Sequence, residues 1–591
     1  MGYLQNFPVF HLGPAIVYKF INRLIISVVA ATILSPIGSY AQQPSSIGFD
    51  QRQTEQRLDS SQSQQRRGSQ PTLRRPQLSD PAEGLDTKPA FVLRGVTIHG
   101  AKTIAIEEIQ RVYRPYLGKT VSPADLADIA KRIGDIYRTA GYHLSRAFVP
   151  PQDVTGGRIR IKVVEGKITE LAIVGDKNNR FGLRPILEPI LSEYPSRLFT
   201  VERKLLLAND RPGVKIDDAT LEEVGAATGN FRLVVVVKTW RIYSSVGLDN
   251  LGSSSVGPWQ TYATAAFNSY FTAGDVLALN LLTVPTDPQT LAFSRLKYET
   301  PIGLDGARIG VTALHSEVMP RDARRLYGDT TTTDSFEVRA SIVPIQSQFQ
   351  TLSFAVAVGV SNVSEKDIIG PVYNDRIRTL SFSSDYRLTD GFGGTNYFFA
   401  SVRQGLNILG ASRKDDDFLS RDGASGDFSV LNASFTRYQR LAGGWSIRLS
   451  AAAQFASAPL LTSQQFYLGG ASLGRGYNSA EISGDNAIAE SFELRFDEKV
   501  GFKYLQGFQL YGFVDNGAAW NFGNQYKDGP SLTSVGTGIR FFFSEDLTAG
   551  LALAIPLTYR SPDNEMRSPR ILFSVSNAIK LCTDKIDRSC L

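Results

Sequence analysis

The sequence predicts an exported membrane β-barrel of about sixteen antiparallel strands, preceded by two small α+β modules. Three observations predict it: a leader for export with no later apolar run long enough to span a bilayer, two tandem rounds of strand–helix–helix–strand–strand patterning, and period-two alternation through the whole second half. At 591 residues the chain is too long for one ordinary domain. After residue 41 no stretch approaches about 18 consecutive apolar residues, which excludes helical spans. Barrel strands escape that test, because they alternate and never look uniformly apolar. The net charge of +6 is small for the length. No Lys/Arg cluster with interleaved aromatics marks a nucleic-acid face, so no nucleic-acid partner is expected.

Residues 1–41 read as a signal peptide. Lys19 and Arg23 precede an apolar run from Leu24 to Pro36, and Ser39-Tyr40-Ala41 supplies small residues for cleavage. Residues 42–89 are rich in Gln, Ser, Arg and Pro and poor in large apolar residues. Within them, residues 49–67 lack Pro and are dominated by helix formers, yet offer no apolar face for a core. A polar helix in a water-filled cavity and a disordered linker are the two readings; composition favours the linker.

The first module is expected over residues 90–166. A strand from Phe91 to Ile98 ends at Gly100; helical patterns run from Ile104 to Leu117 and from Pro123 to Ala140, the second with Ser122 as N-cap and Gly141 as stop. Strands around Ser145–Val149 and Arg158–Val164 close it at Glu165-Gly166. The second module, residues 167–240, repeats the order, with a strand at Ile168–Val174, helices at Phe181–Leu191 and Val201–Ala208, and strands near Leu221 and at Phe231–Lys238.

From Arg241 the helical signals stop, and residues 241–580 are assigned to the barrel. Leu352, Phe354, Val356, Val358 and Val360 alternate with the small Ser353, Ala355, Ala357 and Gly359. Phe492, Leu494 and Phe496 alternate with Glu493, Arg495 and Asp497. A soluble sandwich would not need charges on the second face of so many long strands, so lipid of an outer membrane is the expected surroundings, and no partner subunit is needed. Residues 581–591 form a tail outside the closing strand that carries both cysteines, Cys582 and Cys590. A small terminal disulfide and two idle thiols are the readings there; no metal ligands lie near, and no metal or cofactor is expected.

Several motifs together resemble one family. Gly141-Tyr142-His143-Leu144, Ala147-Phe148-Val149-Pro150 and Val163-Val164-Glu165-Gly166 look like the end of a POTRA domain. Leu468 through Gly474-Arg475-Gly476-Tyr477, followed by Ile482-Ser483-Gly484-Asp485, looks like a long sixth extracellular loop that folds back into a barrel. Tyr511-Gly512-Phe513-Val514-Asp515-Asn516-Gly517 looks like the strand motif that receives it. In this order, behind two POTRA-like domains, they resemble the two-partner secretion transporters of the outer membrane, the hemolysin/adhesin secretion-activation family, relatives of the barrel-assembly insertases. The resemblance implies a periplasmic module pair that catches a secreted exoprotein, passage through the lumen without nucleotide, and a plug helix at residues 49–67. One departure is Gly474, where many members carry an apolar residue; it implies a more mobile loop tip.

The pair at the centre of those motifs can also be argued from the residues. On the strand from Phe508 to Gly517, Gln509, Tyr511, Phe513 and Asp515 share the face opposite Phe508, Leu510, Gly512 and Val514, so Asp515 faces the lumen if the apolar face meets lipid. Arg475 sits between two glycines, where the backbone turns freely. A bidentate Arg475–Asp515 contact and two unrelated solvated charges both fit the sequence; the resemblance favours the pair. Gly470-Ala471-Ser472-Leu473-Gly474 matches a nucleophile elbow, but no His follows Ser472 and no helix is expected there. With no P-loop or other catalytic signature, an enzyme is not expected. The leading expectation is a secretion pore; the alternatives are a barrel-assembly insertase and a passive porin, the last of which leaves residues 91–238 without a purpose.

Overall fold

The computed structural model describes residues 86–225, 228–524, 529–558 and 568–582, together with residues 54, 55, 71, 73 and 74. The leader, most of the polar segment 49–67, and Cys590 with its proposed disulfide lie outside the described residues.

The first module holds strand β1 (Gly95–His99), helices α1 (Ile106–Tyr113) and α2 (Pro123–Thr139), and strands β2 (Arg146–Phe148) and β3 (Arg158–Val164). The expected single strand from Phe91 is broken. Phe91 and Val92 pair with Val121 and Thr120, whereas β1 pairs parallel with β3, so the chain changes partner at Leu93 and Arg94. Leu93 is fully buried at that switch. Helix α2 begins on a capping box: the Asp125 amide donates to Ser122 Oγ at 3.2 Å and the Ser122 amide donates to Asp125 Oδ2 at 2.8 Å. Its Leu126, Ile129, Ala130, Ile133 and Tyr137 form one buried stripe against the sheet.

Strands β4 (Lys167–Val174), β5 (Val214–Glu223) and β6 (Asn230–Asp249) and helices α3 (Leu183–Leu187) and α4 (Leu198–Asn209) build the second module. The expected motif ends of the first module turn out to be the joint between the two. Leu144 belongs to the second module's core, the Leu198 amide donates to the Gly141 carbonyl at 2.9 Å, and Arg146 meets Glu223 at 2.6 Å. A Cβ on Gly166 would come within 2.3 Å of the Leu144 carbonyl oxygen, so only glycine allows this approach. At the same joint Glu165 accepts from the Lys102 and Thr103 amides at 2.8 and 2.7 Å and from the Tyr137 hydroxyl at 2.9 Å. Burial pushes its carboxyl up, but these donors outweigh burial and hold it below the usual carboxylate range. Leu73 and Arg74 add a short parallel strand to the edge of β5 at Ala219 and Thr220, with Leu73 buried in the module core.

The boundary expected between residues 240 and 241 falls inside β6. This strand pairs with β4 and β5 in its first half and enters the barrel wall in its second, because its ladder simply passes to new neighbours without a turn. The barrel continues through β7 (Gln260–Asn268), β8 (Val276–Thr283), β9 (Leu291–Ile302), β10 (Ala307–Val318), β11 (Thr330–Gln346), β12 (Gln350–Lys366), β13 (Pro371–Thr389) and β14 (Gly394–Gly405). It is completed by β15 (Ser429–Arg440), β16 (Trp445–Ala456), β17 (Asn486–Phe502), β18 (Leu505–Trp520), β19 (Ser531–Phe542), β20 (Leu547–Pro556) and β21 (Arg570–Cys582). Sequential neighbours pair antiparallel, and β21 closes on β6 from Ser574–Asp249 to Cys582–Trp240, giving a closed barrel of 16 strands. The closing strand therefore runs to Cys582, two residues past the expected end at Lys580, because Leu581 and Cys582 still find partners in Ile242 and Trp240. Among the described residues no helix is long and apolar enough to cross a membrane. Val356, Val358, Leu380 and Phe382 face outward, exposed, while Ala355 and Ala357 are buried inward, as the alternation requires.

Helix α4 seats the second module against the near rim of the barrel. Arg203 donates to the Val343 and Pro344 carbonyls at 3.0 and 3.2 Å, and Lys204 meets Asp305 at 2.7 Å.

Candidate functional site

The loop between β16 and β17, residues 457–485, is the sixth of the loops at the end of the barrel away from the two modules, and it folds back into the lumen. Its two arms, Phe466–Leu468 and Ile482–Gly484, pair as a short hairpin. Leu468, Tyr477 and Ile482 then pack with Ala487, Ala489, Ala519 and Leu532 of the wall. Between the arms the chain dips, and Gly474, Arg475, Gly476 and Tyr477 are all buried. Gly474 has φ of +90°, which an L side chain rarely adopts, and this turn aims Arg475 at the wall. Gly476 lies flush on the wall: a Cβ there would come within 2.7 Å of Ser534 Cβ and 2.9 Å of the Pro556 nitrogen. Tyr477 donates its hydroxyl to the Thr533 carbonyl at 2.8 Å, and Arg570 donates to the Tyr477 carbonyl. The expected mobile tip is thus a packed one, since glycine at 474 supplies the turn that the contact needs.

The structure brings Arg475 and Asp515 together. Arg475 Nε and Nη2 donate to the two Asp515 oxygens at 2.8 and 2.7 Å, and its backbone amide adds a third bond at 3.0 Å. Asp515 is fully buried, and Arg475 is 6% exposed. Two partners were missed by the reading of the sequence. Arg475 Nη1 donates to Glu493 at 2.6 Å, and Nη2 to Ser491 Oγ at 3.1 Å. Glu493 in turn accepts from Arg495 at 2.6 Å and Arg540 at 2.9 Å, so three guanidinium groups share two carboxylates. The alternation of β17 already put Glu493 on the inward face; only its choice of partner was hidden.

The wall beneath is shaped for this contact. Glycines at 536 and 538 of β19 leave the space into which the rings of Phe513 and Tyr511 fold, since a Cβ at either would lie 2.4–2.6 Å from those rings. The Arg475 guanidinium then lies over the Phe513 ring at 3.5 Å, and that of Arg540 over Tyr511 at 3.8 Å. Gly517 makes room for Leu468, whose Cδ1 would be 3.1 Å from an added Cβ.

A cavity of about 710 Å³ remains in the lumen, lined by Arg295, Glu299, Glu337 and Arg339 among others. Two residues of the segment 49–67 are described, Thr54 and Glu55. They are helical, Thr54 is buried, and Glu55 lies 3.9 Å from Arg295.

Comparison with known proteins decides the family. Residues 232–541 match the family described as haemolysin secretion/activation protein ShlB/FhaC/HecB, and residues 91–166 match the ShlB-type POTRA domain. The chain belongs to this family. It is an outer-membrane transporter of the two-partner secretion type, with its POTRA domains in the periplasm. Relatives include the heme/hemopexin transporter protein HuxB of Haemophilus influenzae, 25% identical over 77% of this chain and 81% of that protein. The outer membrane transporter CdiB of Dickeya dadantii is 21% identical over 82% of this chain and 86% of that protein. Among solved structures, CdiB from Escherichia coli superposes with a TM-score of 0.71 at 18% identity, covering 92% of this chain and all of that one. CdiB from Acinetobacter baumannii follows at 0.63 and 16% identity, covering 91% of this chain and all of that one. These two show the same fold.

Proposed function

We propose that this transporter exports one large exoprotein of the adhesin or haemolysin type, that the two POTRA domains receive it while extended, and that the sixth loop locks the resting pore. The observation that carries the reading is the buried clasp of Arg475 on Asp515 and Glu493: it fixes a loop across the lumen through contacts that can break and re-form without unfolding the wall. Glu55 beside Arg295, with the helical Thr54 before it, supports a second obstruction, the plug helix. The short strand that Leu73–Arg74 adds to the edge of β5 supports strand addition as the means by which an extended cargo segment would bind a POTRA edge. Directionality comes from cargo folding outside, with no nucleotide and no catalysis, and the transporter acts as a monomer in lipid.

The insertase alternative needs a seam that opens sideways. Here the seam between β21 and β6 is paired from Ser574–Asp249 to Cys582–Trp240, which favours a path along the barrel axis. The test uses the full chain in proteoliposomes with the N-terminal secretion domain of a candidate exoprotein. Protease-protected uptake without nucleotide supports the reading. Assembly of an unfolded porin into the same vesicles, with no uptake of the exoprotein, overturns it in favour of the insertase.

A further inference from the structure

The extracellular mouth holds a second buried ion pair, away from Arg475. Asp485 ends the sixth loop and is fully buried, and its carboxylate accepts five hydrogen bonds from three loops. Arg421 of the fifth loop, residues 406–428, donates Nη1 at 2.5 Å and Nη2 at 3.3 Å. The Leu460 amide and the Gln465 side chain, from the start of the sixth loop, donate at 3.1 and 3.2 Å. The Phe522 amide, in the seventh loop, which joins β18 to β19, donates at 2.9 Å.

The node is built into its surroundings. Arg421 Nη1 also donates to the Leu460 carbonyl at 2.5 Å, and Gln454 on the inner face of β16 donates to the Asp485 carbonyl at 3.1 Å. Gly484 runs flush along the end of β18: a Cβ there would lie 2.6 Å from the Trp520 nitrogen and 2.8 Å from its oxygen, both backbone. Beside the node, Leu460 and Leu461 pack with Ala424 and Phe428 in a dry cluster that joins the fifth and sixth loops. A carboxylate has about four acceptor positions, so this one is saturated by groups that converge from otherwise separate loops.

The geometry points to Asp485 as the positioning residue of the lock, with Arg421 as its partner. The pair ties the root of the sixth loop to the fifth and seventh loops, and thereby sets the angle at which Arg475 enters the lumen. The loop's two buried ion pairs thus lie ten positions apart in sequence, and only the inner one can release while the mouth keeps its shape. The inference rests on the proposal that this loop closes the pore.

The test records single-channel currents of the full chain in planar bilayers, with heat-modifiable migration as the check on barrel folding. Asp485→Asn and Arg421→Gln should each raise the frequency of opening about ten-fold, the worth of one charged hydrogen bond in an equilibrium. Arg421→Lys, which keeps the charge but not the two-pronged contact, should fall between them and the parent. In an Arg475→Ala background the same changes should add less than about two-fold, because the tip is already free. Should Asp485→Asn fail to fold, the two Arg421 variants carry the test alone. Parent-like currents in folded Arg421→Gln overturn the positioning role while Arg475→Ala still opens the pore. Parent-like currents in Arg475→Ala overturn the lock itself.

Discussion

Removing either side of the Arg475–Asp515 clasp should impair secretion, and the two losses should not add. Asp515 is fully buried and Arg475 nearly so, which puts the pair in the class where breaking one partner costs about 3–5 kcal/mol by stranding the other. A solvated pair would cost only about 0–1 kcal/mol. The wider cluster makes the two singles unequal. Arg475→Ala leaves two guanidinium groups with two carboxylates, and the backbone amide at position 475 can still donate to Asp515. Asp515→Ala leaves three guanidinium groups around Glu493 alone, so it should cost the barrel more, near the top of that range. Urea unfolding in micelles measures stability, and export of the exoprotein measures function. The double variant should be little worse than Asp515→Ala, a coupling of about 2–3 kcal/mol. Exchanging the two residues should not rescue, because an aspartate on the loop cannot span the reach of arginine. Additive losses in the cycle would show two independent charges and remove the basis for the lock.

Deleting residues 49–67 should raise single-channel conductance with the barrel still folded, and an unchanged conductance would return that segment to a linker. Ending the chain after Cys582 should leave assembly intact, whereas ending it after Lys580 removes the Leu581–Ile242 and Cys582–Trp240 pairings and should lower the yield in the outer membrane several-fold; equal yields would mean that those last pairings are dispensable. Glu165→Gln should destabilise the first POTRA domain by about 1–3 kcal/mol, read as faster hydrogen exchange over residues 95–165 of the full chain. Because the folded carboxyl is held below its unfolded value of about 4.3, its stabilisation is present at neutral pH and is lost as pH falls below that value through the folded one. Parent protein should therefore lose protection at pH about 4 and below, and the Gln variant should show less of that acid dependence; identical profiles would remove Glu165 from the joint.

The barrel was legible because lipid and lumen impose a binary choice on every strand residue. Val356 and Val358 meet lipid while Ala355 and Ala357 meet the crowded interior, and the code repeats around the wall. Helix α2 was legible from Ser122 and its apolar stripe for the same reason, since the cap and the periodicity are local. What the sequence hid was partner choice. Nothing local tells the chain to leave the Thr120–Val121 pairing at Leu93, or lets β6 be seen as one strand serving a POTRA sheet and the barrel in turn. The glycines at 536 and 538 read as ordinary small residues until the Phe513 and Tyr511 rings of the neighbouring strand fill their places. Asp515 could be assigned to the lumen, but Glu493 as its co-partner depends on how far the loop tip descends.

The choice of an ion pair for the lock follows from what a lock must do. Joining loop to wall by apolar side chains would hold as firmly, for buried ion pairs add little net stability over well-packed hydrophobes. It would also be indifferent to register. The planar guanidinium of Arg475 meets one carboxylate edge-on, a second end-on and the Phe513 face at 3.5 Å, so only one pose satisfies it. Once out of that pose, Arg475 can be hydrated in the lumen, and the apolar arms Leu468 and Ile482 can stay packed on the wall. Opening then costs the difference between a dry clasp and a wet arginine rather than the exposure of a core. That difference is smallest where several cations already compete for too few carboxylates, which is the state of the cluster around Glu493. Because the loop brings a third guanidinium to a wall that already sets two beside its two carboxylates, the closed pose stays specific while the work of leaving it is held down.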